Sequence, residues 1–228
     1  VKTAFFNKGK VADIYCCSEP ELVEFLSVKE FKKGIICSVS STDFVNELIK
    51  NYPNLLLLDN KTRIPIVNEY KSPLTLGYDR LANAVGAYKL NPDQNNLIID
   101  VGTCLKFDFI NNKNHYLGGS ISPGLIMRYK ALNTFTEKLP LIDGSESTKL
   151  IGDNTENSIR SGVVNGMLCE MKEMIDRYRI RFTNLQIYLT GGDARHFNSI
   201  ADSKKNGIFA HEYITLLGLH TILEENED

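Results

Sequence analysis

Tryptophan is absent from this chain, and several other chemically useful features are scarce. Only five cysteines occur in 228 residues, an odd number in which no two stand as C-x-x-C. That argues against a disulfide scaffold and predicts reduced thiols in a cytoplasmic protein. Four histidines, His115, His196, His211 and His220, show no zinc-ligand spacing, so no transition-metal centre is expected. A net charge of −2 offers no global pull toward nucleic acid or anionic lipid, and neither is expected as a partner. No apolar run approaches the roughly 18 residues of a membrane span. The first residues, Val1–Phe6, read as a strand rather than a signal peptide.

What is present reads as an α/β protein with enough apolar residues, 43%, to bury a sizeable core. Val1–Phe6 and Val11–Cys16 flank the turn sequence NKGK and predict a β-hairpin. Ser18-Glu19-Pro20-Glu21 is a helix start, with Ser18 and Glu21 spaced as a capping box. Tyr78–Leu90, rich in Ala and Gly, predicts a closely packed helix. Ile159, Val163, Met167, Met171, Met174 and Tyr178 predict one long amphipathic helix over Asn154–Tyr178. The stretches VKTAFFNKGKV and LKFDFINNKNH share a strand, a lysine at the second place, an Asn-led turn and a return strand. The same hairpin opening two halves, 1–96 and 97–228, predicts a duplicated fold.

Four stretches carry candidate chemistry. In LIIDVGTCLKFDF the buried strand Leu97–Ile99 is broken by Asp100-Val101-Gly102-Thr103 before a second strand begins. Such a turn presents backbone N–H groups to phosphate oxygens, Thr103 adds a donor, and Asp100 could hold a cation beside them. A plain polar bulge reads equally well. In GGSISPG, Gly118-Gly119 and Pro123-Gly124 bracket a segment that lines a ligand groove, positions a helix end, or is simply two turns. Thr190-Gly191-Gly192-Asp193 ends a strand and leads toward a helix, without the spacing of a Walker loop. In LGYDR, Asp79 is placed either to cap the helix or to accept a hydroxyl proton, and Arg80 either faces solvent or holds an anion.

In their order these stretches are more specific than singly. Tyr70, Gly77, Asp79 and Arg80, then D-x-G-T, then GGxIxPG, then IGxxTxxxIxxG from Ile151 to Gly162, then TGGDA resembles the type III pantothenate kinase family along essentially the whole chain. The resemblance implies the duplicated actin-like, ribonuclease H-like α/β fold, with two similar subdomains and an ATP cleft between them. It implies ATP-dependent phosphorylation of pantothenate, with Asp79 as general base. Tyr70, Gly77, Tyr78, Asp79, Arg80 and Thr155 would contact pantothenate. Thr103 would contact ATP, and Asp100 would bind a monovalent cation, K⁺ or NH₄⁺. Mg²⁺ or a similar divalent ion and a homodimer are implied as well. Another small-molecule kinase of the superfamily, or a non-catalytic accessory protein of the same fold, are the competing readings.

Two departures from the family pattern stand out. Lys106 occupies a place where a small polar residue is usual, and its role is open at this level. The family also begins with a strand and an Asp-x-Gly-Asn-Thr phosphate loop that this sequence does not contain. The internal repeat therefore predicts about a dozen residues ahead of Val1 in the natural protein, a strand and a turn.

Overall fold

The computed structural model describes residues 1–38, 42–143, 148–197 and 207–227. They form two compact units, described separately below. The first takes in Val1–Pro92, Asn114–Tyr116 and Tyr213–Asp228, and the second Asp93–Lys113 and Leu117–Glu212. The closing helix thus packs with the N-terminal residues, although a linear division at 96/97 counts it with the second half.

In the second unit, β6 (Asn95–Val101) is the central strand. It pairs antiparallel with β7 (Cys104–Ile110) and parallel with β9 (Leu185–Thr190), which pairs parallel with β10 (Ile208–Ala210). With β8 (His115–Pro123) outside β7, the order is β10–β9–β6–β7–β8. This is the ribonuclease H-like arrangement of the actin-like α/β fold. Leu97, Ile99 and Val101 face one way from β6, as the period of two requires, and meet Leu105, Phe107, Phe109, Ile187 and Leu189 in the core. Helix α4 (Leu125–Thr134) adds Leu125 and Tyr129 to that core.

The long helix expected over Asn154–Tyr178 forms with a local departure. It runs as α5 (Thr155–Arg160), a π-helical turn over Ser161–Asn165, and α6 (Gly166–Arg181). Ile159, Val163, Met167 and Met171 are buried at a strict spacing of four. An unbroken α-helix would rotate such a stripe away from the sheet, and one wider turn brings it back. Past that turn Ile175 takes over the buried position, with Met174 and Tyr178 packed at the margin. A second departure concerns Gly118-Gly119, which forms neither turn nor groove but lies inside β8. Gly118 adopts φ +94°, and Gly119 lies so close to the Phe107 carbonyl of β7 that a side chain would overlap it.

The first unit repeats pieces of the same plan. The expected hairpin forms from β1 (Lys2–Asn7) and β2 (Lys10–Cys16), paired antiparallel, and β3 (Gly34–Ile36) pairs parallel with β4 (Leu55–Leu57). These match the β7–β8 and β9–β10 pairs of the second unit, which supports the duplication. Helix α1 (Glu19–Val28) opens on the Ser18–Glu21 capping box, and α2 (Thr42–Asn51) buries Val45 and Leu48. Leu22, Leu26 and Leu48 form a small core, and Phe25 packs against Phe5 and Tyr15. The short strand β5 (Val67–Asn68) pairs parallel with His115–Tyr116 and leads toward Tyr70.

Helix α3 (Tyr78–Leu90) has the predicted bounds and is buried continuously from Arg80 to Ala87. It crosses α7 (Ile214–Glu225) at glycines on both sides. A Cβ on Gly86 would land on the Ile214 carbonyl, and one on Gly218 on the Ala82 carbonyl. The Ala and Gly content of both helices is therefore a condition of their close approach. Among the described residues, no helix is long and apolar enough to cross a membrane.

On the far end of α7, His220 stacks on the Phe6 ring with centroids 3.9 Å apart. Burial pulls its pKa below the usual 6.5, although Glu224 works the other way. Burial also lowers the pKa of His211 in the second unit. Both imidazoles thus protonate more readily in the unfolded chain, which binds more protons as pH falls through 6.5. The melting temperature should drop between pH 8 and pH 5.5, and His220→Gln should flatten part of that slope. An unchanged slope in the variant would show that His220 is not a source of it.

Candidate active site

Three glycine-bearing turns of the second unit converge at the C-terminal end of β6. The β6–β7 connection is Gly102-Thr103, and register places Val101 opposite Leu105 and Asp100 opposite Lys106. From one side Gly124, at the start of α4, donates its N–H to the Thr103 carbonyl at 3.2 Å. A Cβ at Gly124 would come within 2.5 Å of that oxygen and closer still to the Gly102 carbonyl. From the other side Gly191, with φ +100°, crowds the Val101 carbonyl, and the Asp193 N–H donates to that carbonyl at 2.9 Å. Thr103 is exposed at the tip of this arrangement. The result is a backbone-lined turn flanked by two others, a shape suited to phosphate oxygens.

Asp100 lies at the centre. Thr190 is its register partner on β9, and a Cβ on Gly191 would stand 2.6 Å from the Asp100 Oδ1. Its Oδ2 takes the Lys106 ammonium at 2.8 Å, and both side chains are mostly buried, 14% and 15% exposed. Asp100 is thus held in a specific ion pair within the strand break. The position of Lys106, directly opposite Asp100, is set by the register.

Pro123, the residue before Gly124, borders a cavity of about 780 Å³ within the same unit. Thr155, Ser158, Ile159, Leu132, Leu139 and Arg128 also line it. Thr155 opens α5 and is exposed, next to Asn154, whose side chain caps the helix by accepting from the Asn157 N–H. Arg128 was not among the residues singled out from sequence. It reaches Glu170 in an ion pair, and Ser122 donates to the same carboxylate at 2.6 Å. The signal for it was present: an arginine four residues after Gly124, one turn into α4.

The remaining sequence-predicted residues lie in the first unit. Gly77, not Asp79, is the N-cap of α3, so the capping reading of Asp79 is corrected. Asp79 sits in the first helical turn with its carboxylate folded back over Gly77, where a Cβ would be 2.5 Å from Oδ1. The helix dipole favours a negative charge there. Arg80 is only 4% exposed, which rules out a solvated surface charge. Its guanidinium lies 5.6 Å from the Tyr70 ring centre, and Tyr70 in turn packs near Tyr116. The structure thus brings Tyr70 and Arg80 together, with Gly77, Tyr78 and Asp79 on the adjoining helix start. It separately gathers Asp100 and Thr103, with Thr155 on the cavity wall nearby.

Comparison with known proteins shows the family. The family model for type III pantothenate kinase matches residues 18–177. The type III pantothenate kinase of Christiangramia forsetii is 42% identical over 234 residues, covering 100% of this chain and 95% of the relative. That of Phocaeicola vulgatus is 39% identical, covering 99% of this chain and 94% of the relative. A solved Campylobacter jejuni structure, described as a conserved Baf family transcriptional activator, superposes with a TM-score of 0.61. At 21% identity, covering 90% of this chain and 88% of that one, it shares the fold.

The packing of the three turns is testable without substrate. Gly124→Ala should destabilise the protein by about 1–3 kcal/mol, because the methyl group would push into two backbone carbonyls. Gly192→Ala, next to the neighbouring turn but with open space around it, should cost no more than about 0.5 kcal/mol. Equal losses for the two in denaturant titrations would mean that the close approach at Gly124 is not tight.

Proposed function

The chain belongs to the type III pantothenate kinase family, whose reaction is ATP-dependent phosphorylation of pantothenate, and from that premise we propose how its residues divide the work. Asp79 is the general base. Its carboxylate takes the proton of the primary hydroxyl of pantothenate as that oxygen attacks the γ-phosphorus of ATP. The bond from that phosphorus to the bridging oxygen breaks, and ADP leaves with the electron pair. The observation that carries this reading is the position of Asp79: in the first turn of α3, relieved of capping by Gly77, beside a buried arginine.

Tyr70, Gly77, Tyr78 and Arg80 hold pantothenate around that base. The buried guanidinium of Arg80 offers a desolvated positive charge for its carboxylate, and the Tyr70 ring limits where that charge can move. Thr155 contributes a hydroxyl hydrogen bond to pantothenate. Thr103 and the exposed amides of its turn meet the ATP phosphates. Among the described residues, no group of three or more His, Cys, Asp or Glu side chains could cage a metal ion. The divalent ion fits as part of the ATP complex, held by phosphate oxygens and water, which is how Mg²⁺ commonly binds. A homodimer and a cytoplasmic location complete the proposal, on the strength of the family alone.

Asp79→Asn should lower kcat by about 10²–10⁴-fold, the usual share of a general base. Because Gly77 caps the helix, the same change should alter stability only by the loss of a first-turn charge, about 0.3–1 kcal/mol. Pantothenate-dependent ADP release measures the first and thermal unfolding the second. Near-normal turnover would remove Asp79 from the chemistry. Thr155→Val keeps shape and removes the donor, and should cost about 1–3 kcal/mol in kcat/KM for pantothenate. A change confined to the KM for ATP would place Thr155 on the other substrate.

A further inference from the structure

The family resemblance implies a potassium or ammonium ion on Asp100, and the residues present do not fit one. The carboxylate already carries the Lys106 ammonium, Nζ to Oδ2 at 2.8 Å. One negative charge is thus matched by one fixed positive charge, in a place where both side chains are about 85% shielded from water. A second cation on the same carboxylate would stand within a few ångströms of that ammonium, and at the dielectric of a protein interior the two would repel strongly. The pair is also not a chance meeting of surface side chains. Asp100 and Lys106 are direct register partners across β6 and β7, so the lysine stem starts from a fixed point opposite the carboxylate.

We propose that Lys106 is a built-in monovalent cation. Its ammonium, held on the Asp100 carboxylate, supplies the positive charge that a bound potassium or ammonium ion would supply, so this enzyme needs neither. The proposal rests on the kinase reading above for what binds at the turn. It concerns a residue whose place the family pattern leaves to a small polar side chain. A lysine ammonium suits the task because it is a compact point charge on a flexible stem, close in kind to the free ion it replaces. Binding then loses its dependence on the salt composition of the surroundings, because the cation is covalently part of the strand.

The test uses the intact protein in sodium-only or tetramethylammonium buffer freed of ammonium, with potassium or ammonium chloride added stepwise. Two readouts are taken: phosphorylation of pantothenate, and the Kd of a non-hydrolysable ATP analogue by calorimetry. The natural protein should show no saturable response to either ion in either readout. Lys106→Thr should bind the analogue about 10–100-fold more weakly in sodium, the loss expected of one charge-assisted contact, and potassium or ammonium should restore it saturably. Lys106→Gln is the second variant should the threonine protein not fold. Saturable potassium activation of the natural protein would overturn the proposal. So would a folded Lys106 variant that binds as tightly as the natural protein in sodium, or one whose loss no added ion repairs. Failure to phosphorylate pantothenate in any salt would refute the kinase reading instead, and the nucleotide Kd would still decide the role of Lys106.

Discussion

Backbone touching backbone at the end of β6 is the constraint on which the second unit depends. The carbonyls of Val101, Gly102 and Thr103 are covered by Gly191 from one side and Gly124 from the other, at distances that leave no space for a Cβ. Those contacts tie three separate chain segments to one strand end: the β6–β7 turn, the start of α4, and the turn after β9. The same contacts leave the tip at Thr103 exposed. A rigid, side-chain-free surface with an exposed hydroxyl follows from packing, before any ligand is considered. Phosphate recognition asks for little more than such a surface, because catalysis of its transfer is mostly positioning and charge.

The Asp100–Lys106 pair lies within that framework without holding it together. Six register pairs join β6 to β7, from Asn96–Ile110 to Val101–Leu105, and the apolar ones among them feed a continuous core. A shielded ion pair gains Coulomb energy but loses hydration on both partners, so its net contribution to stability is small or even negative. An apolar pair at this register position would serve the sheet as well. What an apolar pair would not supply is a fixed positive charge on the Asp100 carboxylate.

Much of this was legible in the sequence, and the exceptions have physical causes. The capping box at Ser18, the bounds of α3 and the β1–β2 hairpin follow from local chemistry, and local chemistry is what a sequence displays. The strand break at Asp100–Thr103 was visible because charge, glycine and hydroxyl interrupt an apolar run. Gly118-Gly119 was misread because glycine pairs usually mark turns, whereas here they let β8 pass close to the β7 backbone, a contact between strands. Capping was one of two readings of Asp79, because an acid near a helix start often caps it. The observed cap, Gly77, makes no side-chain hydrogen bond at all. The π-helical turn at Ser161–Asn165 left a trace that was not used: a stripe spaced by four fits an α-helix only for two or three turns.

Lys106 shows how a cross-strand pairing can be hidden by numbering and yet follow from geometry. Once Gly102-Thr103 is accepted as a tight connection, the pairing is symmetric about Thr103, and residue 100 must oppose residue 106. Opposite charges at directly opposed positions on one face then meet as a matter of course. The inference needed only the turn length, not the fold. Arg80 is the contrary case. Its neighbours in sequence, Tyr78 and Asp79, are half-exposed, while it is buried beside Tyr70, ten residues away through a loop containing Pro73. No local pattern announces that burial, because it arises from the fold of a loop back onto the helix start. A buried guanidinium is tolerated only where its charge is matched or used, since desolvating it without compensation is costly.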